Sequence, residues 1–238
     1  ILLDVKYGDG AFMNTIEEAK ELARTMIEIG DSLGKDTRAT ISNMSQPLGY
    51  AIGNSLEVKE AIDTLNGHGP EDLLELCLQA GSHMLIQAQK TDSLITARKM
   101  LEDAIESKKA LRTLCAMVKA QGGDDAFIRH PEMFPKAKEV IPVYSQQTGY
   151  VKDLKAKPLG IVSMKLGGGR EKTDDDIDYS VGLVLHKKIG AFVKKGEVLV
   201  EVHTNTGLSQ ELETEIFNAY DFSDEFVGKP QLIDEVLS

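Results

Sequence analysis

Cysteine is scarce. Cys77 and Cys115 are the only two in 238 residues, too few for a disulfide framework. Both fall in helical apolar patterns, which predicts reduced core thiols in a cytosolic protein. A basic excess is also missing: 27 Lys and Arg stand against 38 Asp and Glu, a formal charge of −11. Neutralising a nucleic-acid backbone needs a basic face, so this balance argues against non-specific binding there, though not against a local site for one phosphate. No apolar run approaches the ~18 residues that a membrane helix needs. The five histidines (His68, His83, His130, His186 and His203) make no i, i+4 pair and join no cysteine pair at zinc spacing. A Gly-x-Ser-x-Gly nucleophile elbow is absent. Gly8-x-Gly10 lacks the third glycine of a dinucleotide loop, since Met13 stands in its place. In Gly167-Gly168-Gly169-Arg170-Glu171-Lys172-Thr173 no glycine directly precedes Lys172, so the Walker spacing fails. Met164-Lys165 has the residues of a biotin-acceptor centre, but in a predicted helix rather than a hairpin.

What is present reads as a globular chain, 42% hydrophobic and 27% charged. Ile1 to Lys6 reads as a buried strand already under way, so this is expected to be the C-terminal part of a longer protein. Thr15-Ile16-Glu17-Glu18 has capping-box form, and Ile16, Ala19, Ala23, Met26 and Ile27 follow at helical spacing. Thr37 to Ser42 predicts a second strand, completing a βαβ unit with its right-handed crossover. Val58, Ala61, Ile62 and Leu65 lie on one helical face. Pro70 opens a long helix that is apolar almost all round and therefore expected to be central. Residues 93–106 and 108–120 predict two more helices. From about residue 138 short strands appear at Val140–Tyr144, Gly149–Leu154, Val181–Lys187 and Val198–Thr204, with helices near 158–166 and 209–220. The expected fold class is α/β: a partial, mostly parallel sheet with flanking helices over residues 1–130, followed by a smaller α+β C-terminal module over residues 131–238.

The segment Leu48 to Glu60 is of more interest. Leu48 and Ala51 lie in an irregular, glycine-flanked loop, so their carbonyls need partners. Glu60 follows on a helix. Two carbonyls and one carboxylate suit a hard cation of low charge, K⁺ or weakly Ca²⁺. A glutamate on a solvated helix face is the bland alternative.

Leu3-Asp4-Val5-Lys6-Tyr7-Gly8-Asp9-Gly10-Ala11-Phe12-Met13 resembles a signature of the pyrimidine nucleoside phosphorylase and thymidine phosphorylase family. So do Met44-Ser45-Gln46-Pro47-Leu48-Gly49, Gly53-Asn54, Glu57-Val58-Lys59-Glu60-Ala61, Gln121-Gly122-Gly123-Asp124 and Ser180-Val181-Gly182-Leu183. The resemblance implies a cytoplasmic glycosyltransferase of nucleoside salvage, homodimeric when intact. Its reaction would be phosphorolysis of uridine, thymidine or deoxyuridine to free base and (deoxy)ribose 1-phosphate. It implies a structural K⁺ near the phosphate site, held by the Leu48 and Ala51 carbonyls and the Glu60 carboxylate, with phosphate as co-substrate. It places Phe12 in the wall of the base pocket. The family's Lys-His-Ser-Thr-Gly-Gly type phosphate loop and its base-holding Arg, Ser and Lys are not found in these residues. The catalytic groups are therefore expected in a missing N-terminal half, and the segment alone is expected to be inactive. Neither nucleic acid nor membrane is an expected partner. The rival reading is a non-catalytic accessory or binding module of the same architecture.

Overall fold

The computed structural model describes residues 1–238. In chain order the first elements are β1 (Leu2–Tyr7), α1 (Ile16–Ser32), β2 (Arg38–Asn43), β3 (Ala51–Ile52) and α2 (Asn54–Leu65). Then come α3 (Glu71–Gln87), α4 (Leu94–Glu106), α5 (Lys109–Ala120) and the single turn α6 (Ala126–Arg129). The remainder runs β4 (Glu139–Tyr144), β5 (Gly149–Leu154), α7 (Ala156–Ser163), β6 (Gly182–Leu185), β7 (Phe192–Val193), β8 (Val198–Thr204), α8 (Gln210–Asn218), β9 (Tyr220–Ser223) and β10 (Ile233–Leu237). These form two compact units. The first holds Ile1–Met44, Ile62–His130 and Gln231–Ser238; the second holds Ser45–Ala61 and Pro131–Pro230.

In the first unit α1 starts at a complete capping box. The Glu18 N–H donates to Thr15 Oγ1 at 3.2 Å, and Glu18 Oε2 accepts from the Thr15 N–H at 3.2 Å. Two of the helix's orphan donors are thereby satisfied. Ala19, Ala23 and Ile27 turn inward and bury against Val5, Ala39 and Ile41 of the two strands. Gly30 lets the end of α1 close on the chain that re-enters the sheet, because a Cβ there would lie 2.0 Å from Thr37 Oγ1.

The expectation of a mostly parallel sheet is overturned. Only β1 and β2 pair in parallel. Strand β10 joins the other edge of β2 antiparallel, and every pairing of the second unit is antiparallel. The chain contains a single βαβ crossover. After it, α2 to α5 follow one another with no strand between them, so nothing extends the parallel sheet, and the third strand comes from the chain's far end. Helix α3 is not central either: only Leu76, Leu78 and Ser82 are buried on it, and Met84 is exposed. Both cysteines are free, Cys115 buried as expected and Cys77 exposed.

Strand β10 is tied down by Tyr7, whose hydroxyl donates to Asp234 Oδ2 at 2.6 Å. Burial, and after it the Asp234 carboxylate as acceptor and charge, pushes the phenol up to about 12. The bonded, neutral phenol thus contributes stability that is complete below its ordinary pKa of about 10 and lost as pH rises through the folded value. Tyr7→Phe is expected to remove this dependence. In urea titrations, the stability difference between wild type and variant should be constant at neutral pH and shrink from about pH 10 to 12. A difference that stays constant across that window would show that the phenol titrates normally.

The second unit holds two antiparallel sheets, one ordered β3-β6-β8-β4 and one β7-β5-β9. Val143, Val151, Leu154, Leu159, Leu183, Val200, Val202 and Ile216 make its core, each fully buried side chain worth about 1.5–3 kcal/mol over its exposed state. A turn at Lys194-Lys195-Gly196-Glu197 closes with the Glu197 N–H donating to the Lys194 carbonyl at 3.0 Å. The strands on either side of it, β7 and β8, go to different sheets.

Candidate functional site

The segment singled out by the sequence runs along an edge of the four-stranded sheet. Ala51 stands opposite Val184 and Ile52 opposite Leu183. The Leu185 N–H donates to the Tyr50 carbonyl at 2.8 Å. The regular alternation of an antiparallel ladder does not hold at the start of this strand: Tyr50 gives its carbonyl to β6, yet its N–H turns to Glu60. Oε1 of that carboxylate accepts from Ala51 N at 3.1 Å and from Tyr50 N at 2.8 Å. Glu60 reaches back from α2, whose start is held by the Gly53 N–H on Glu57 Oε1 at 3.0 Å and by Asn54 Nδ2 on the Gly168 carbonyl at 2.8 Å.

Gly49 is required here. Its φ is +69°, and a Cβ would lie 2.1 Å from Glu60 Oε2. The backbone thus approaches the carboxylate more closely than any side chain allows. Glu60 thus meets the backbone of residues 49–51, and Leu48 lies one residue before the glycine. No group of three His, Cys, Asp or Glu side chains converges as transition-metal ligands do. The oxygen groups of the segment, backbone carbonyls and one carboxylate, are of the class that hard cations take.

Ala51 and Glu60 are thus brought together in the second unit, with Leu48 in the same unit next to Gly49, while Phe12 belongs to the first. Phe12 sits in the turn after β1, where Gly8 has φ +109° and its N–H donates to the Met13 carbonyl at 2.9 Å. The ring is 98% exposed. Next to it on the sheet, Lys6 Nζ is 2.7 Å from Asp4 Oδ2 and 3.3 Å from Ser42 Oγ, a bonded cluster within the two strands.

The other motifs resolve into structure. Lys165 lies in the π-helical turn Met164–Gly168 and is paired with Glu215 at 2.6 Å, so its amine is engaged. Gly167 turns with φ +104°, and its carbonyl accepts from the Asp178 N–H at 2.9 Å. In the run Asp174-Asp175-Asp176, Asp175 Oδ2 accepts from the N–H groups of Glu171 and Lys172. Sequence reasoning missed two groups that bond next to this segment. Gln46 Oε1 accepts from the Ile189 N–H at 3.0 Å, and Lys188 Nζ donates to the Gly49 carbonyl at 2.9 Å. No local signal marks Lys188, because its partner lies 139 residues earlier.

Two family models match the chain. "Glycosyl transferase family, a/b domain" covers residues 1–111, and "Pyrimidine nucleoside phosphorylase C-terminal domain" covers residues 150–223. Among curated relatives, a pyrimidine-nucleoside phosphorylase of Geobacillus stearothermophilus is 48% identical over 100% of this chain and 55% of its own length. Another of that name, from Staphylococcus haemolyticus, is 51% identical over 86% of this chain and 47% of its own length. The chain therefore spans about half the length of the curated relatives it matches. With both models matched in order and whole-chain identity at this level, the chain belongs to the pyrimidine-nucleoside phosphorylase family.

Proposed function

We propose that this chain is the C-terminal portion of an enzyme that catalyses phosphorolysis of pyrimidine nucleosides. Inorganic phosphate attacks the anomeric carbon, the C–N glycosidic bond breaks, and the base leaves with the bonding pair. The products are the free base and (deoxy)ribose 1-phosphate. Uridine, thymidine and deoxyuridine are the proposed substrates, and a cytoplasmic homodimer is the proposed working form. The single observation behind this reading is the match of the entire chain to proteins that carry the phosphorylase name.

The reaction needs donors that hold phosphate as a desolvated nucleophile and cationic groups that take up charge on the departing base. No residue of this chain is proposed for either task. They fall to the N-terminal half, and the 238 residues alone are proposed to be inactive. The family's modules are proposed to divide at residues 1–130 and 131–238. What this chain supplies is support. Leu48 and Ala51 would hold K⁺ through their carbonyls and Glu60 through its carboxylate. The bound ion would supply positive charge that stiffens the loop beside the phosphate site. Phe12, with its ring exposed, is proposed to wall the base.

The test is an assay of uridine and thymidine phosphorolysis by the full-length protein and by this chain alone. Turnover is expected from the former only. Turnover by the chain alone would show that the catalytic groups lie within it. Absence of turnover in both would favour an accessory module.

A further inference from the structure

We propose that Lys188, in the turn after β6, is a positioning residue for the cation loop. The inference rests on the potassium reading given above. It starts from one peptide group. The Gly49 carbonyl accepts from Lys188 Nζ at 2.9 Å, and the N–H of the same peptide, on Tyr50, donates to Glu60 Oε1 at 2.8 Å. An ammonium therefore holds the oxygen end of the peptide dipole and a carboxylate holds its hydrogen end. Both bonds are charge-assisted, the stronger kind. The ammonium also stands over the Tyr50 ring, 5.6 Å from its centroid, which keeps the lysine on that side of the loop. The next residue fixes the start of the turn, since the Ile189 N–H donates to Gln46 Oε1 at 3.0 Å.

This arrangement decides which carbonyls are available. Gly49, at φ +69°, has the backbone freedom to rotate its peptide, and such a flip would swing its oxygen toward Glu60. Lys188 commits that oxygen to the opposite side. The carbonyls of Leu48 and Ala51 are then the ones left for the proposed cation beside the carboxylate. The role assigned to Lys188 is therefore exerted through the loop geometry. It also gives residues 131–230 a role, because the β6–β7 connection is what locks the ion's backbone donors in place.

The experiment uses the full-length protein carrying Lys188→Met. Two quantities are read against KCl, with choline chloride holding ionic strength constant: the rise in melting temperature and the rate of uridine phosphorolysis. Residues that orient metal ligands from outside typically cost 10–100-fold in affinity, so the half-saturating K⁺ is expected to rise by about tenfold or more in both readouts. The rate at saturating K⁺ should return close to wild type. Lys188→Arg, which keeps the charge and the donor, should titrate near wild type. Superimposable titrations for Lys188→Met and wild type overturn the inference and leave the potassium reading intact. A wild-type protein with no K⁺ response in either readout overturns the potassium reading itself. If Lys188→Met does not fold, Lys188→Gln is titrated in the same way, and a wild-type half-saturation point in that variant overturns the inference.

Discussion

Gly49→Ala is expected, under the proposed K⁺ role, to abolish the potassium response of the full-length protein. At φ +69° an added Cβ costs about 1–2 kcal/mol in backbone strain. It would also sit 2.1 Å from Glu60 Oε2. A carboxylate end can normally swing aside at little cost. This one cannot, because its other oxygen accepts from both Tyr50 and Ala51. Moving it sacrifices two charge-assisted bonds, each worth about 1.5–3 kcal/mol. Glu60→Gln is the milder partner experiment. It keeps the shape and one acceptor oxygen but removes the negative charge that a cation needs. Both variants should lose the K⁺-dependent rise in melting temperature, and Gly49→Ala should also lower the melting temperature without K⁺. A normal potassium response in Glu60→Gln would remove that residue from the site.

The second large effect lies where two backbones touch. Gly182 opens β6 with φ +148°, and a Cβ there would be 2.3 Å from the Ile52 carbonyl oxygen and 3.0 Å from the Gly53 Cα. The reciprocal contact is as close: a Cβ on Gly53 would be 2.6 Å from the Val181 carbonyl oxygen. These obstacles are main chain, so relief requires β3 to separate from β6. Gly182→Ala is expected to cost about 3 kcal/mol or more, among the larger single-site losses. Gly196→Ala is the control. Its φ is +87°, but a Cβ there meets nothing within 4 Å, so only the conformational cost of about 1 kcal/mol remains. Urea denaturation of the two variants should separate them clearly. Equal losses would mean that the β3–β6 crossing yields more readily than its geometry indicates.

Part of this molecule is legible in its amino-acid order. The capping box at Thr15 and Glu18 marks where α1 begins. Strands Gly149–Leu154 and Val198–Thr204 have the bounds their residue patterns indicate. Leu48, Ala51 and Glu60 stand out because an irregular loop between glycines must place its carbonyls somewhere. Other features leave no such trace. Strand β10 is short and charged, with Asp234 and Glu235 inside it. It is recognisable only through its partners: β2 along its length, Tyr7 at Asp234, and Lys20, 2.7 Å from Glu235. The two-residue β3 is defined by its pairing with β6 alone.

Sequence by itself determined the long helices and the family. Each depends on side chains within a turn or two of one another, or on motifs written contiguously. Tertiary structure decided that the sheets are largely antiparallel, that the last strand returns to the first unit, and that Lys188 grips Gly49. Those outcomes rest on pairings between residues as far as 227 positions apart, as for Tyr7 and Asp234. Closing such loops costs entropy that grows only slowly with their length. Many long-range partners are therefore nearly equivalent until packing and hydrogen-bond geometry select one.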